Sequence, residues 1–182
     1  GGDTPVGKGV YTHFLDAKGG VRADLTVLRL AQDHYRVIDG ADAGHRDLVW
    51  IERMAQDRGA NVKVTDTTTA YGCLGVWGPN ARATIQKIAD EPDAWTHENF
   101  PFTAFRNLKI AGVPVLAFRI SYVGEQGWEL HFKYEDGLAL WDALYAQGVT
   151  PVGVETYANS RRMEKSLRLQ NADLLTEYNL ME

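Results

Sequence analysis

The fold is decided by residues 71–79, which read Tyr71-Gly72-Cys73-Leu74-Gly75-Val76-Trp77-Gly78-Pro79. Apolar and small residues fill the first seven positions, which predicts a β-strand. Gly78-Pro79 then opens a helix predicted over residues 80–89, because a proline in the first helical turn leaves no backbone N–H unpaired. The strands and helices predicted on either side are interpreted relative to this strand and the helix that follows it.

On the carboxyl side of this helix, an irregular loop at residues 91–102 is followed by more strands and helices. Strands are predicted at residues 105–110, 115–122 and 128–132, and helices at residues 135–145 and 155–165. On the amino side, Val62–Val64 predicts one further short strand. Because the strands follow one another through short Gly and Pro turns, we expect an antiparallel sheet with helices packed on one face.

The first 60 residues predict a smaller β-rich region. Short β-rich runs are separated by turns at Lys18-Gly19-Gly20 and Gln32-Asp33, which is typical of an antiparallel meander. The period then changes over residues 43–58, where apolar side chains share one face of a helix that Gly59 can close. We therefore predict an α+β fold in two lobes: a partial β-rich lobe with one helix at residues 1–60, and an α+β, ferredoxin-like lobe at residues 61–182.

Composition narrows the class of function. The 182 residues are 45% hydrophobic and 24% charged, which is typical of a folded domain. The net charge is -5 and the basic residues are scattered, so we expect no nucleic-acid partner. No run approaches the length of a membrane span, so we expect no membrane association. Cys73 is the only cysteine, which excludes an internal disulfide and favours a reducing compartment such as the cytoplasm.

The sequence starts with Gly rather than Met, and its pattern stops without a closing turn. We therefore expect a piece of a longer protein, incomplete at both ends. Missing segments would leave unpaired sheet edges and exposed apolar surface, which favour a homo-oligomer.

Few residues indicate chemistry by themselves. The five histidines are spread along the chain without close pairing, so we expect no metal site. Cys73 has no basic neighbour in sequence to lower its pKa, which favours a buried, apolar role over a nucleophilic one. Asp24 interrupts a strand and Glu129 lies between Trp128 and Leu130, where carboxylates are uncommon. Alternation leaves open whether either carboxylate points inward, and a solvent-facing position is the simpler interpretation.

Four segments, in the same order and with similar spacing, resemble the tetrahydrofolate-binding module of the glycine cleavage T-protein (aminomethyltransferase) family. They are the runs from Tyr11 to Leu25, Val76 to Pro79, Ser121 to Leu130 and Asn159 to Lys165. The longer run Ala70 to Pro79 and the segment Leu174-Leu175-Thr176-Glu177-Tyr178 are more similar to the folate domain of flavin-dependent dimethylglycine and sarcosine dehydrogenases. Together the segments span nearly the whole chain.

The resemblance implies roles for four residues. Asp24 matches the family aspartate that lies beside the reactive nitrogens of tetrahydrofolate, which implies a catalytic and cofactor-binding role. Glu129 matches the glutamate that binds the pterin ring, whose parallel N–H donors suit a carboxylate fork. Tyr122 and Tyr11 match aromatic residues that contact folate, although core packing would also account for both tyrosines. Arg162 and Glu164 are expected to brace the last helix rather than to touch a ligand.

Two departures separate the chain from true aminomethyltransferases. Ala158 stands where T-proteins carry a folate-binding arginine, and Gly40 stands where they often carry asparagine. Both changes point toward the dehydrogenase-linked or demethylase branches of the family.

The resemblance implies a parent enzyme that transfers a one-carbon unit from a small methylamine-type donor, N-methyl or aminomethyl, to tetrahydrofolate. FAD, where the parent uses it, is expected in a domain outside this chain. One alternative is a folate-dependent S- or O-demethylase, and another is a non-catalytic folate-binding accessory protein. The accessory branch carries a Lys-Gly-Cys-Tyr-x-Gly-Gln-Glu motif, whereas residues 165–170 here read Lys-Ser-Leu-Arg-Leu-Gln.

Overall fold

The computed structural model describes residues 3–40 and 42–181. The chain forms two compact units. The first comprises Val10–Thr67 with the segments before Gly7 and after Arg168, and the second comprises Thr68–Arg168 with Gly7–Gly9. The predicted division into a domain of residues 1–60 and a domain of residues 61–182 stays a prediction. None of the helices in the described ranges combines the length and apolar character needed for a membrane span.

The first unit contains the predicted meander and helix. Its strands are β1 (Gly9–Leu15), β2 (Val21–Ala31) and β3 (His34–Ile38), which lie in the order β1-β2-β3, and its helix is α1 (Gly44–Asp57). The alternate residues Val21, Ala23 and Leu25 of β2 are buried. Asp24 therefore lies on the opposite, half-exposed face of the strand.

The turn between β1 and β2 is held by one side chain. The Asp16 carboxylate accepts hydrogen bonds from the backbone N–H groups of Lys18 at 2.8 Å and Gly20 at 2.9 Å, and these bonds hold its pKa below the ordinary value. Gly19 has a φ of +86°, a conformation that glycine adopts without a steric penalty. The turn thereby fixes how β2 lies beside β1.

The second unit is built on a four-stranded antiparallel sheet. In sequence its elements are β4 (Tyr71–Trp77), α2 (Ala81–Gln86), β5 (Phe105–Ile110), β6 (Val113–Phe118), β7 (Gly127–Lys133) and α3 (Gly137–Tyr145). The strands lie in the order β4-β7-β6-β5, which makes β4 an edge strand paired with β7.

One face of this sheet carries both helices and the core. Trp128, Leu130 and Phe132 of β7 are buried in one cluster with side chains of both helices, namely Ile85, Leu140 and Leu144. The Trp128 ring also meets the rings of Trp95 at 5.3 Å and Phe100 at 5.7 Å between centroids. The predicted α+β class, antiparallel with helices on one face, is confirmed.

Two predicted elements differ in the structure. Val62–Val64 forms no strand, because it pairs with no other described strand in a backbone ladder, and its first residue, Val62, is 60% exposed. The last predicted helix, residues 155–165, is shorter and contains a π-helical turn at Thr156–Arg161. A π turn inserts one residue per turn into a helix, so a sequence pattern scored at 3.6 residues per turn does not show it.

Candidate functional site

A cavity of about 450 Å³ lies along the edge strand β4 in the second unit. Residues 73–78 of the chain form one wall. The other walls come from β7, α3, the segment 149–154 and the π-helical turn. Since β4 is an edge strand, side chains from both faces of the sheet reach this cavity.

Glu129 of β7 contributes an acidic side chain to the wall of the cavity. It pairs with Gly75 of β4 and points to the face opposite Trp128 and Leu130, which explains a carboxylate inside an otherwise buried strand. Its side chain keeps 22% exposure, and its Oε2 lies 3.5 Å from Nε2 of His131. The sequence left the direction of Glu129 open, and the structure directs it into the cavity.

Trp77 forms an aromatic wall beside this carboxylate. Its indole N–H donates to the carbonyl oxygen of Ile120 at 2.8 Å, and its ring stacks on Tyr157 at 5.2 Å and 11°. A side chain at Gly75 would overlap the indole ring, so glycine at that position lets the ring lie close to the strand. Trp77 is thus fixed by a hydrogen bond, a ring stack and a close backbone approach.

Tyr157 is presented by the π-helical turn. Its ring also contacts the Tyr122 ring at 5.5 Å. Burial and the nearby Glu129 carboxylate raise the pKa of the Tyr157 hydroxyl well above its ordinary value, and Tyr122 and Cys73 add to this effect. The hydroxyl therefore remains a protonated donor at neutral pH.

Tyr122, predicted to bind the cofactor, is anchored within the second unit. Its hydroxyl donates to the carbonyl oxygen of Arg168 at 2.6 Å, and its ring supports Tyr157. Its contact with folate stays a prediction.

Cys73 differs from its prediction as a buried residue, because its side chain is exposed. It lies on the edge strand β4 between Gly72 and Leu74, and it borders the cavity. Desolvation by the cavity walls, together with the Glu129 carboxylate, raises the pKa of its thiol.

Arg161 brings a positive charge to the cavity wall. It forms ion pairs with Glu125 at 3.3 Å and Glu164 at 3.4 Å. Three residues earlier in the sequence, the carbonyl oxygen of Ala158 accepts a 2.7 Å hydrogen bond from Arg162 Nε. Arg162 is 6% exposed and also donates to Leu167, so it braces the turn as expected.

Asp24 and Tyr11 are brought together in the first unit. The Tyr11 hydroxyl donates to Asp24 Oδ2 at 3.0 Å, and the Tyr11 ring meets His13 edge-on at 5.0 Å. Both residues lie on the half-exposed face of the β1–β2 ribbon. The hydrogen bond restricts the carboxylate to one orientation, and the catalytic role of Asp24 stays a prediction.

Sequence reasoning missed three residues of the cavity: Trp77, Tyr157 and Arg161. Trp77 stood in the fold-deciding segment and in the family-like run Val76 to Pro79, but no ligand contact was predicted for it. Tyr157 and Arg161 stood in the predicted last helix. The available signal was the position of Tyr157 beside Ala158, where the resemblance to T-proteins predicted a folate-binding arginine in those proteins.

Comparison with known proteins agrees with the resemblance. Residues 2–182 match the model of the GCVT N-terminal domain. The chain is 38% identical over 176 residues to human mitochondrial dimethylglycine dehydrogenase, 32% identical over 198 residues to human mitochondrial sarcosine dehydrogenase, and 31% identical over 168 residues to the aminomethyltransferase of Paraburkholderia phymatum. These alignments cover 94%, 98% and 92% of the chain. The chain spans 20% or 21% of the two dehydrogenases and 45% of the aminomethyltransferase.

The fold has a solved counterpart in the glycine cleavage system aminomethyltransferase T of Bartonella henselae. The TM-score is 0.79 at 21% identity, and the match covers 98% of this chain and 46% of that one. With the family match across residues 2–182, the chain belongs to the GCVT N-terminal domain family.

Proposed function

We propose that the parent protein transfers a one-carbon unit from an N-methyl or aminomethyl donor to tetrahydrofolate, and that the cavity along β4 receives the pterin ring. The observation that carries the proposal is the Glu129 carboxylate in the wall of an aromatic-lined cavity. A flat heterocycle with parallel N–H donors suits such a wall, because the carboxylate can accept two hydrogen bonds while aromatic rings cover the faces.

The chemistry of the cavity agrees with a folate derivative. Trp77 and Tyr157 supply aromatic surface, and the protonated Tyr157 hydroxyl supplies a donor. Among the described lining residues, Arg161 is the basic side chain, and it can approach a ligand carboxylate by exchanging its partners Glu125 and Glu164. The Ala158 position lacks the arginine of T-proteins, and Arg161 supplies a positive charge from the same turn.

Asp24 is the residue that we propose for the chemical step. A carboxylate next to N5 of tetrahydrofolate orients that nitrogen and stabilises positive charge as the one-carbon unit is transferred. The Tyr11 hydroxyl, 3.0 Å from Asp24 Oδ2, would hold the carboxylate in place. Tetrahydrofolate itself supplies the nucleophilic nitrogen.

The donor class follows from the relatives. Two of them are named for dimethylglycine and sarcosine, both small methylamines, and a third is named an aminomethyltransferase. We propose a donor of this class, with any FAD bound outside this chain. The cytoplasmic location and the homo-oligomer stay predictions, and the human relatives are named as mitochondrial proteins.

Calorimetric titration of the chain with tetrahydrofolate tests the proposed pocket. We expect saturable binding that is lost in Glu129→Ala and retained in Glu135→Ala, since Glu135 is exposed and lies outside the cavity wall. Equal affinity in both variants would remove Glu129 from the site. A well-folded wild-type chain that does not bind would contradict a pocket formed by this unit alone.

A further inference from the structure

Three side chains with metal-ligand chemistry meet on one face of the β4–β7 pair. One ligand atom from each of Cys73, Glu129 and His131 lies within 4.8 Å of the others. The register explains the cluster, since Cys73 is directly opposite His131 and Gly75 is opposite Glu129. Cross-strand neighbours on one face of a sheet point in the same direction, so the cluster is a property of the pairing and not of one rotamer.

The buried side chain of His131 has a ring nitrogen without a hydrogen-bond partner in the described part of the chain. The residue is 7% exposed, and its Nε2 has no hydrogen bond to any of the described residues. Glu129 Oε2 lies 3.5 Å from this nitrogen, which is too long for a good hydrogen bond. A buried imidazole nitrogen without a partner is costly and calls for an explanation.

The same distance suits two ligands of one metal ion. Nitrogen and oxygen ligands about 2.1 Å from a tetrahedral Zn²⁺ lie about 3.4 Å apart, and a thiolate lies about 3.6 Å from either. The Glu129–His131 separation is already close to this value. The exposed Cys73 needs only a shift of its side chain of about 1 Å to complete three ligands.

We propose that Cys73, Glu129 and His131 bind a divalent transition-metal ion of the Zn²⁺ type, with the fourth position open to the β4 cavity. A thiolate, an imidazole and a carboxylate form a ligand set that this ion prefers over Mg²⁺ or Ca²⁺. The ion bonds to the thiolate sulfur, and the thiol proton passes to solvent.

The proposed site has a consequence for folate. Glu129 cannot bind a metal ion and the pterin ring with the same oxygens, so the ion and tetrahydrofolate should exclude each other. Because coupling between two ligands is reciprocal, each should weaken the other by the same factor. This consequence rests on the proposed function, whereas metal binding itself does not.

Titration of the reduced chain with Co²⁺ provides the test. A thiolate-to-cobalt charge-transfer band is specific for Cys73, because the chain has no second cysteine. We expect a saturable band at one Co²⁺ per chain that Zn²⁺ removes. The band should vanish in Cys73→Ser, and the affinity should fall at least tenfold in His131→Gln and in Glu129→Gln, with His34→Gln, on the exposed part of β3, as control.

The outcomes separate the alternatives. No band from a wild-type chain with an intact near-ultraviolet circular dichroism spectrum would overturn the proposal. A band of unchanged affinity in both His131→Gln and Glu129→Gln would also overturn it, since a lone thiol would then be the ligand. Tetrahydrofolate binding that Zn²⁺ does not weaken would refute the mutual exclusion. A wild-type chain that gives the cobalt band but does not bind tetrahydrofolate would contradict only the proposed function.

Discussion

At the scale of the residue, Tyr157 contacts the aromatic wall of the cavity through its ring and lies near the acidic wall through its hydroxyl group. Its ring stacks on Trp77, and its hydroxyl lies in the field of Glu129. Because the pKa of this hydroxyl is raised, Tyr157 is neutral at physiological pH and adds no negative charge beside the carboxylate. The ring and the hydroxyl can therefore be tested separately.

Tyr157→Phe and Tyr157→Leu distinguish these contributions. We expect Phe to keep most of the tetrahydrofolate affinity, because the stacked ring remains. Leu should weaken binding roughly tenfold, since aromatic pairs contribute about 0.5–1.5 kcal/mol beyond area burial. Calorimetry on both variants measures the effect, and an equal loss in Phe and Leu would assign the main role to the hydroxyl.

The raised pKa of Cys73 predicts slow thiol chemistry. The thiolate is the reactive form, and desolvation by the cavity walls together with the Glu129 carboxylate disfavours it, so the thiol is protonated at neutral pH. With a chelator present, iodoacetamide should alkylate Cys73 more slowly than free glutathione at pH 7. The rate should rise about tenfold per pH unit up to pH 9 without a plateau. A rate that begins to level off near pH 8.5 would instead show an ordinary thiol.

At the scale of the element, the edge strand β4 combines a glycine with a large ring. Gly75 leaves room for the Trp77 indole, whereas Gly153, between the lining residues Val152 and Val154, has no atom within 4 Å of where a Cβ would lie. The two glycines therefore offer a matched pair of substitutions.

Gly75→Ala should displace the Trp77 ring and break its hydrogen bond to Ile120. We expect a loss of about 1–3 kcal/mol in the free energy of unfolding, as for other overpacked sites, together with weaker tetrahydrofolate binding. Chemical denaturation and calorimetry measure both changes. Gly153→Ala should leave both nearly unchanged. Wild-type stability in Gly75→Ala would show that the indole ring moves aside freely.

The sequence predicted the elements better than their details. Alternation identified β7, because its residues Trp128, Leu130 and Phe132 face one core, and Gly59 marked the end of α1 as expected. Val62 and Val64 look equally strand-like but form no strand, and Val62 is exposed, since only long-range pairing decides whether such a run becomes a strand. The π-helical turn could not be predicted from a pattern read at 3.6 residues per turn.

At the scale of the whole molecule, the candidate site draws on elements that are far apart in sequence. Glu129 could be selected because it matches a family motif, and Asp24 and the two tyrosines were selected in the same way. Trp77 meets Tyr157 only because β4 pairs with β7 and the π turn closes over them, and local patterns do not encode such pairing. The Cys73–His131 pair spans 58 positions for the same reason, which is why spacing alone suggested no metal site.

The role of Asp24 has to be measured in the full-length parent, since this chain spans only part of its relatives. Asp24→Asn keeps the shape of the side chain but removes its charge. We expect turnover to fall by about 10²–10⁴ while the affinity for tetrahydrofolate changes by less than about threefold, because a group that acts on charge developing in the transition state contributes little to ground-state binding. Single-turnover assays with mass analysis of the folate product, alongside calorimetry, measure both quantities.

Tyr11→Phe provides the graded control for Asp24. It removes the hydrogen bond to Asp24 Oδ2 and leaves the carboxylate in place, so turnover should fall less than in Asp24→Asn. Turnover equal to wild type in Asp24→Asn would remove the catalytic role. A loss of folate affinity with unchanged turnover at saturating folate would instead make Asp24 a binding residue, because removing an interaction made equally in the ground state and the transition state raises KM and leaves kcat unaffected.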